Sequence, residues 1–572
     1  MNKVLGNKKA LALFTLPAII LFTLLAIVPI IWSLFYSFFS GMPGVNFQFC
    51  GLDNFKQFFT DTNVHQGFLR NIKYVIVVMI GQVGIGFALA MLINYGVNHC
   101  KNLIRTCMFI PVVLPSVAVG QLFQKIYAIA PQNGLLNAFL ELIGLKFLVT
   151  AWIGDVSTAL WSLAAMDIWK GVGLYCLIFY SAIIDLPGDV VEAAKIDGAS
   201  SMRIIRSVQI PLLKPIFRMS LIFSLTGCIK VYDTVVALTK GGPGTSTYMP
   251  SMLMYDQAFT YGNFGYGSVI ALMILVECTV LTAIINKILR KRSEKMKKNK
   301  TVKVVSLLVI GIALIISLYP VVWLVLSSFK STQEFSLYPT YSLPKSFHIE
   351  NYIEAWTSGN MGVYFRNSIL CTLGSLILII LIALPVSFAL TKMVWKGKKF
   401  FNSYFMMGLM IPIQVSLIPV FQIYKGAGLL NSRLGLVLVY TVFGLPMTIL
   451  MFTGFFESFP NEMLEAAVID GCSIYGCLTK IVIPLMGNSI VTVLTLQFLN
   501  SWNDLLFSQT LISDTAKKTV QTGLVMFSGA HGQMDWGPMF ASMTIAVIPT
   551  LGLYLFLSKF MIQGMTAGAV KG

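Results

Sequence analysis

Apolar runs follow one another along this sequence from end to end, each interrupted by a short polar segment. An α-helix crossing a bilayer core of roughly 30 Å needs about 20 apolar residues, and the pattern supplies about twelve stretches of that size. In the first half they fall near 11-39, 72-97, 106-128, 157-184, 215-238 and 266-289. In the second half they fall near 303-328, 367-392, 402-424, 433-456, 486-511 and 537-560. The expected fold class is an all-α polytopic membrane protein.

Composition supports this reading. With 56% hydrophobic and 11% charged residues, and a mean hydropathy of +0.79, the chain has too little polar surface to cover a soluble fold. The net charge of +18 raises the question of a nucleic-acid partner. Its placement points to membrane topology instead. Cations gather at Lys3, Lys8 and Lys9, at Lys101 and Arg105, at Lys195, Arg203, Arg206 and Lys214, and densely from Lys287 to Lys303. Basic segments stay on the cytoplasmic side, so both termini are expected there, in a multi-pass protein of the plasma membrane with no nucleic-acid partner. The apolar run after the N-terminal lysines is too long for a signal peptide and lacks an Ala-x-Ala site, so it reads as an uncleaved first span. Nine cysteines are scattered without a Cys-x-x-Cys pair, and Cys472 with Cys477 lies in an expected cytoplasmic loop, where disulfides are rare. His65, His99, His348 and His531 sit far apart. No metal site and no catalytic residue is expected.

One polar motif occurs twice. EAAKIDGAS at Glu192 to Ser200 returns as EAAVIDGCS at Glu465 to Ser473, and each copy is followed by Ile-Pro-Leu, from Ile210 and from Ile483. Weaker matches join Val28-Pro29 and Trp32 to Tyr319-Pro320 and Trp323, Asn54-Phe55 to Asn351-Tyr352, and Arg70-Asn71 to Arg366-Asn367. GLLN at Gly134 recurs at Gly428, which places an insertion of the first half in and after the loop at 129-158. The expected domains are 1-290 and 303-572, joined by a basic cytoplasmic linker at 291-302. An even number of crossings per half puts both motifs on one side, so the two six-helix repeats are parallel.

Pro187 and Pro460 suit helix starts, and the Glu-Ala-Ala runs are good helix formers. Gly198 and Gly471 are placed to adopt a left-handed C-terminal cap, and Ser200 to cap a second short helix ending before Ile210-Pro211. Each segment, 187-212 and 460-485, therefore reads as a helix, turn, helix element projecting from the membrane. Ala193, Ala194, Ala466 and Ala467 permit close approach by a partner, and Glu192, Asp197, Glu465 and Asp470 offer carboxylates to anchor it. An ordinary capped interfacial helix would explain one copy, but two copies in matching loops favour a docking element.

The spacing of Glu-Ala-Ala, three residues and Gly resembles the coupling loop of permease subunits in ATP-binding-cassette importers. GLDNF from Gly51, WKGVG from Trp169, LTKGGPG from Leu238, SWNDLLF from Ser501 and GMTAGAVKG from Gly564 are similar to the carbohydrate branch, the maltose and glycerol-phosphate permease family. The chain departs from that family in fusing two permeases, in lacking a large external domain in the first half, and in its Ile-Pro-Leu order. The resemblance implies two cytoplasmic ATP-binding subunits that seat the coupling loops, an external solute-binding protein, and a carbohydrate substrate. It also implies that Gln563 to Gly572 reaches the ATPase interface. The sequence contains no G-x-x-x-x-G-K-[ST] phosphate loop, and the Gly241, Gly242, Pro243, Gly244 cluster is followed by no lysine. No cofactor is therefore expected on this chain, with ATP and Mg bound by the partners.

A charge within a membrane costs about 2.5 to 3.5 kcal/mol on insertion scales. Two pairs stand out, Asp167 with Lys170 and Lys230 with Asp233, each spaced to share a helix face. They could neutralise each other or line a polar path between the halves, where such transporters bind cargo. Tyr175, Tyr232 and Tyr255 add aromatic faces suited to sugar rings, and Asn500, Trp502, Asn503 and Asp504 occupy the equivalent region of the second half. Lys230, Tyr232, Asp233 and Asn503 are the strongest candidates. The alternative function is a twelve-helix secondary transporter driven by an ion gradient, although its usual Gly/Asp/Arg loop is not seen at Asn98 to Arg105. A passive channel would not account for the duplicated loop.

Overall fold

The computed structural model describes residues 2–97, 100–129, 132–197, 199, 201–289, 303–527 and 535–569. Among the described residues, eight helices are long and apolar enough to cross a membrane: Lys8–Tyr36, Thr62–Gly96, Ala159–Ile184, Phe264–Ile288, Leu307–Ser327, Met361–Thr391, Arg433–Ser458 and Trp536–Ser558. They are the first, second, fourth and sixth spans of each half. The third and fifth spans, read from the sequence as plain crossings, are bent. Lys101–Val113 meets Ser116–Ile126 at 93°, and Lys398–Leu409 meets Ile413–Gly426 at 96°.

Proline explains the third-span bends. Leu114 before Pro115 has ψ 141°, and Ile411 before Pro412 has ψ 123°. A residue preceding proline is pushed out of the helical region, so the backbone turns at the same place in both halves. The fifth spans bend by 59° and 79° just after the two Ile-Pro-Leu sequences. Each then stops again, at Lys230 and at Asn503, before a short helix, Asp233–Leu238 or Leu506–Leu511.

Many large side chains exposed on the straight spans are apolar, including Leu13, Ile80, Leu381 and Phe556. Such a surface belongs against acyl chains rather than water. The halves interlock through their first spans. Lys8–Phe22 packs on Met361–Thr391 of the second half, while Lys303–Ser327 packs on Thr62–Gly96 and Lys101–Val113 of the first. The expected linker at 291-302 lies outside the described residues. The inserted loop of the first half carries the helix Leu135–Leu142, where the second half crosses from Gly426 to Arg433 directly.

Candidate coupling helices and inter-half polar cluster

The second repeated motif forms the helix Asn461–Ile469 after Pro460, whose ψ is 127°. Its end is closed by two hydrogen bonds, from Cys472 N to Ala467 O at 2.9 Å and from Gly471 N to Val468 O at 3.1 Å. Gly471 has φ +77°, the left-handed cap expected of it. Ser473 then caps the next helix by accepting from Gly476 N at 3.2 Å. The first motif builds Gly188–Ile196, with Ala199 N bonded to Ala194 O at 2.9 Å, the counterpart of the Cys472 bond. Gly198 and Ser200 lie outside the described residues.

Glu192, Ala193 and Asp197 are exposed, as are Glu465, Ala466, Asp470 and Gly471. Ala194 is half-buried and Ala467 is buried, 7% exposed. The second alanine of each pair therefore does not face a partner as fully as the sequence suggested. Successive side chains on a helix point about 100° apart, so one alanine turns outward while Ala467 joins Leu464 against the membrane domain. The outward face carries a feature that the sequence reading passed over. Ile196 is 86% exposed and Ile469 84%, and these two residues hold the same place in the two motifs. Val190 and Met463 form a second exposed matched pair.

The second repeated-motif element is tied to the spans on two sides. Lys392 Nζ donates to Phe459 O at 2.8 Å and to Asn461 Oδ1 at 2.6 Å. Tyr475 meets Phe14 of the other half edge-on at 5.6 Å.

Between the halves, the charge pairs that the sequence spacing allows do not close. Among the described residues, neither Asp167 with Lys170 nor Lys230 with Asp233 forms an ion pair. Asp167 instead accepts from the Tyr74 hydroxyl and from Thr234 Oγ1, the latter at 3.1 Å. Lys170 Nζ donates to Ser116 Oγ at the bend of the third span. Asp233 is half-buried and lies within electrostatic range of Asp504, Lys170 and Asp167. Asp504 accepts from Tyr440 Oη at 2.9 Å and from the backbone N–H groups of Phe507 and Ser508 at 3.3 and 3.0 Å.

Lys230 and Asn503 end the fifth spans of their halves at equivalent positions, and both are half-buried. The Lys230 carbonyl accepts from Gln414 Nε2 of the second half at 3.0 Å. Tyr232 packs on Tyr255 with ring centroids 5.3 Å apart, and Tyr255 faces Gln509 and Thr510 across the interface. Tyr175 is placed differently. It is buried within the first half, where its Cβ abuts Gly86 and its hydroxyl faces Ser224. Tyr74, Thr234 and Tyr440 are additions to the candidate set. So is Glu277, a carboxylate within Phe264–Leu289 whose Oε2 accepts from Asn71 Nδ2 at 3.4 Å. Carboxylates, an ammonium group, amides and aromatic faces gathered between two halves can exchange hydrogen bonds with a polar solute.

The sequence profile of the family described as binding-protein-dependent transport system inner membrane component matches residues 82–295 and 375–566, once in each half. The "Probable ABC transporter permease protein YurM" of Bacillus subtilis is 35% identical over 254 residues, 44% of this chain and 84% of that protein. The diacetylchitobiose uptake system permease protein NgcG of Streptomyces coelicolor is 31% identical over 258 residues, 45% of this chain and 85% of its own length. The sulfoquinovosyl glycerol transport system permease protein SmoH of Agrobacterium fabrum is 31% identical over 262 residues, 46% of this chain and 92% of its own. Each relative is thus matched over most of itself by less than half of this chain, as a fusion of two permease units requires. With two such units in one polypeptide, the chain belongs to the family of binding-protein-dependent transport system inner membrane components.

Proposed function

We propose that this chain is the transmembrane permease component of an ATP-binding-cassette importer for a carbohydrate or sugar-like solute, with residues 1-290 and 303-572 acting as its two permease domains. The observation that carries the reading is the pair of projecting helices with matched exposed faces, Ile196 and Ile469 at equivalent places. Large apolar side chains held in water at a helix end favour burial in a partner's cleft. Two cytoplasmic ATP-binding subunits supply those clefts, bind ATP and Mg, and hydrolyse the nucleotide, while this chain contributes no catalytic group. Their closure pulls on the coupling helices around Glu192 and Glu465. The bent third and fifth spans then reorient around the inter-half cluster, giving alternating access.

The cargo contacts fall to Lys230, Tyr232, Asp233, Tyr255 and Asn503, with Asp167, Lys170 and Asp504 beside them. Tyr175 acts behind this layer by packing the first half. A solute-binding protein outside the cell delivers the sugar, in keeping with the family's binding-protein dependence. Both termini lie in the cytoplasm. Relatives that are named as sugar-system permeases support the substrate class, and family membership weighs against an ion-gradient transporter.

Reconstitution in proteoliposomes with two ATP-binding subunits and a solute-binding protein tests the reading. ATP-dependent accumulation of an oligosaccharide supports it. Uptake that persists without any ATP-binding subunit and follows a proton or sodium gradient contradicts it.

A further inference from the structure

At the end of the first half opposite the coupling helices, a cavity of about 400 Å³ opens between the second span, the start of the fourth and the 241–247 loop. Arg70 and Lys73 from Thr62–Gly96, Trp161 from Ala159–Ile184, and the loop residues Ser157, Thr245 and Ser246 line it, and its lining contains no carboxylate. The neighbouring acid, Asp155, has one oxygen occupied by the N–H and the hydroxyl of Ser157, both at 2.7 Å. Arg70 donates to Gln66 Oε1 at 2.7 Å and reaches Thr245 Oγ1 at 3.4 Å, which holds its guanidinium at the cavity wall. Among the described residues, Lys73 has no hydrogen bond or ion pair. Ser246 is 8% exposed, and its hydroxyl has no partner. An unmet buried hydroxyl is destabilising unless a ligand satisfies it. Two cations and an unused hydroxyl around one cavity describe a receptor for an oxyanion.

The surface beneath the cavity identifies the rest of the ligand. Ile76, Val77 and Ile80 are exposed and stand three, four and seven positions after Lys73, so they continue its face along the span. Trp161, also exposed, stands at the mouth. Cations and tryptophan gather at the headgroup level of a bilayer, and an exposed apolar stripe below that level lies against acyl chains. We infer that this cavity holds the phosphate of an anionic phospholipid, with acyl chains running along Ile76, Val77 and Ile80. The second half has no counterpart, because Ile369 stands where the Arg70-Asn71 match would place Lys73.

Native mass spectrometry of the full-length chain, washed with equimolar phosphatidylglycerol and phosphatidylcholine in mild detergent, tests the assignment. One phosphatidylglycerol should remain bound, and no phosphatidylcholine. Losing a charge-assisted hydrogen bond costs about 1.5 to 3 kcal/mol, so Lys73→Gln should cut retention by about tenfold or more, with Arg70→Gln adding to the loss. Lys73 is exposed, so its replacement leaves folding intact. Lys73→Arg should retain the lipid, as should Lys56→Gln, which removes a cation paired with Asp53 at 2.9 Å outside the cavity. Unchanged retention in Lys73→Gln, equal retention of phosphatidylcholine, or displacement of the lipid by millimolar inorganic phosphate would each overturn the inference.

Discussion

Tyr440 donates its hydroxyl to Asp504 at 2.9 Å, and this bond links the fourth span of the second half to the break after its fifth. The first half makes the same link with the partners exchanged. There the carboxylate, Asp167, is on the fourth span, and Thr234 donates to it from beyond the fifth at 3.1 Å. In both halves a hydroxyl-to-carboxylate bond therefore fixes the interrupted span at the inter-half surface.

Tyr440→Phe removes one donor from Asp504 and leaves the backbone N–H groups of Phe507 and Ser508. The loss should cost about 1 to 3 kcal/mol at this site. Transport should fall more than the amount of folded protein recovered, measured as ATP-driven uptake per purified complex. Thr234→Val should behave in the same direction.

Gly471 lies at φ +77°, and a Cβ added there meets nothing within 4 Å. Any defect on substitution is then backbone strain rather than a clash. Gly471→Val forces a β-branched residue into the left-handed region at about 1 to 2 kcal/mol, while Gly471→Asn tolerates it. ATP hydrolysis should become uncoupled from uptake in the valine variant and stay coupled in the asparagine variant, read as molecules transported per ATP.

Ile196→Asp and Ile469→Asp alter side chains already in solvent, so thermal stability of the isolated chain should move by less than about 0.5 kcal/mol. Co-purification with the ATP-binding subunits should drop sharply in each and vanish in the double variant. Normal assembly in the double variant would remove these residues from the docking face.

Asn54 Nδ2 donates to Ser37 O and Phe39 O at 2.9 and 2.6 Å, and Asn351 Nδ2 to Ser328 O and Lys330 O, both at 2.8 Å. Each closes off carbonyls left unpaired where the first span of its half ends. Asn54→Ala and Asn351→Ala should destabilise by similar amounts, about 1 to 3 kcal/mol, in thermal unfolding followed by circular dichroism.

This Asn pair shows what was legible in the sequence. Asn54-Phe55 and Asn351-Tyr352 were visible as a repeat, because local spacing survives duplication. The helices of the two repeated motifs were legible for the same reason, down to the left-handed Gly471. The third-span bends were also written in the sequence, at Leu114-Pro115 and Ile411-Pro412, but hydropathy averages over a proline and reports one crossing. The inter-half cluster was only half visible. Asp167 and Asp233 stand out as charges in apolar runs, whereas Tyr74, Thr234 and Tyr440 look like ordinary span residues until the fold brings them to a carboxylate. Spacing on one helix offered mutual neutralisation of Asp167 and Lys170 as one reading, beside a polar path between the halves. The hydrogen-bond partners in place, Tyr74 and Ser116, come from other helices, and one-dimensional periodicity does not contain them.

The most direct test of the central claim is to place a cysteine at Glu192 and, separately, at Glu465, and to label each with a membrane-impermeant maleimide in sealed vesicles of both orientations. The signal is read above that of the unsubstituted chain. Both positions should label only in inside-out vesicles, and bound ATP-binding subunits should protect both. Labelling of the two positions from opposite sides of the bilayer would contradict two parallel permease halves that share one pair of motors.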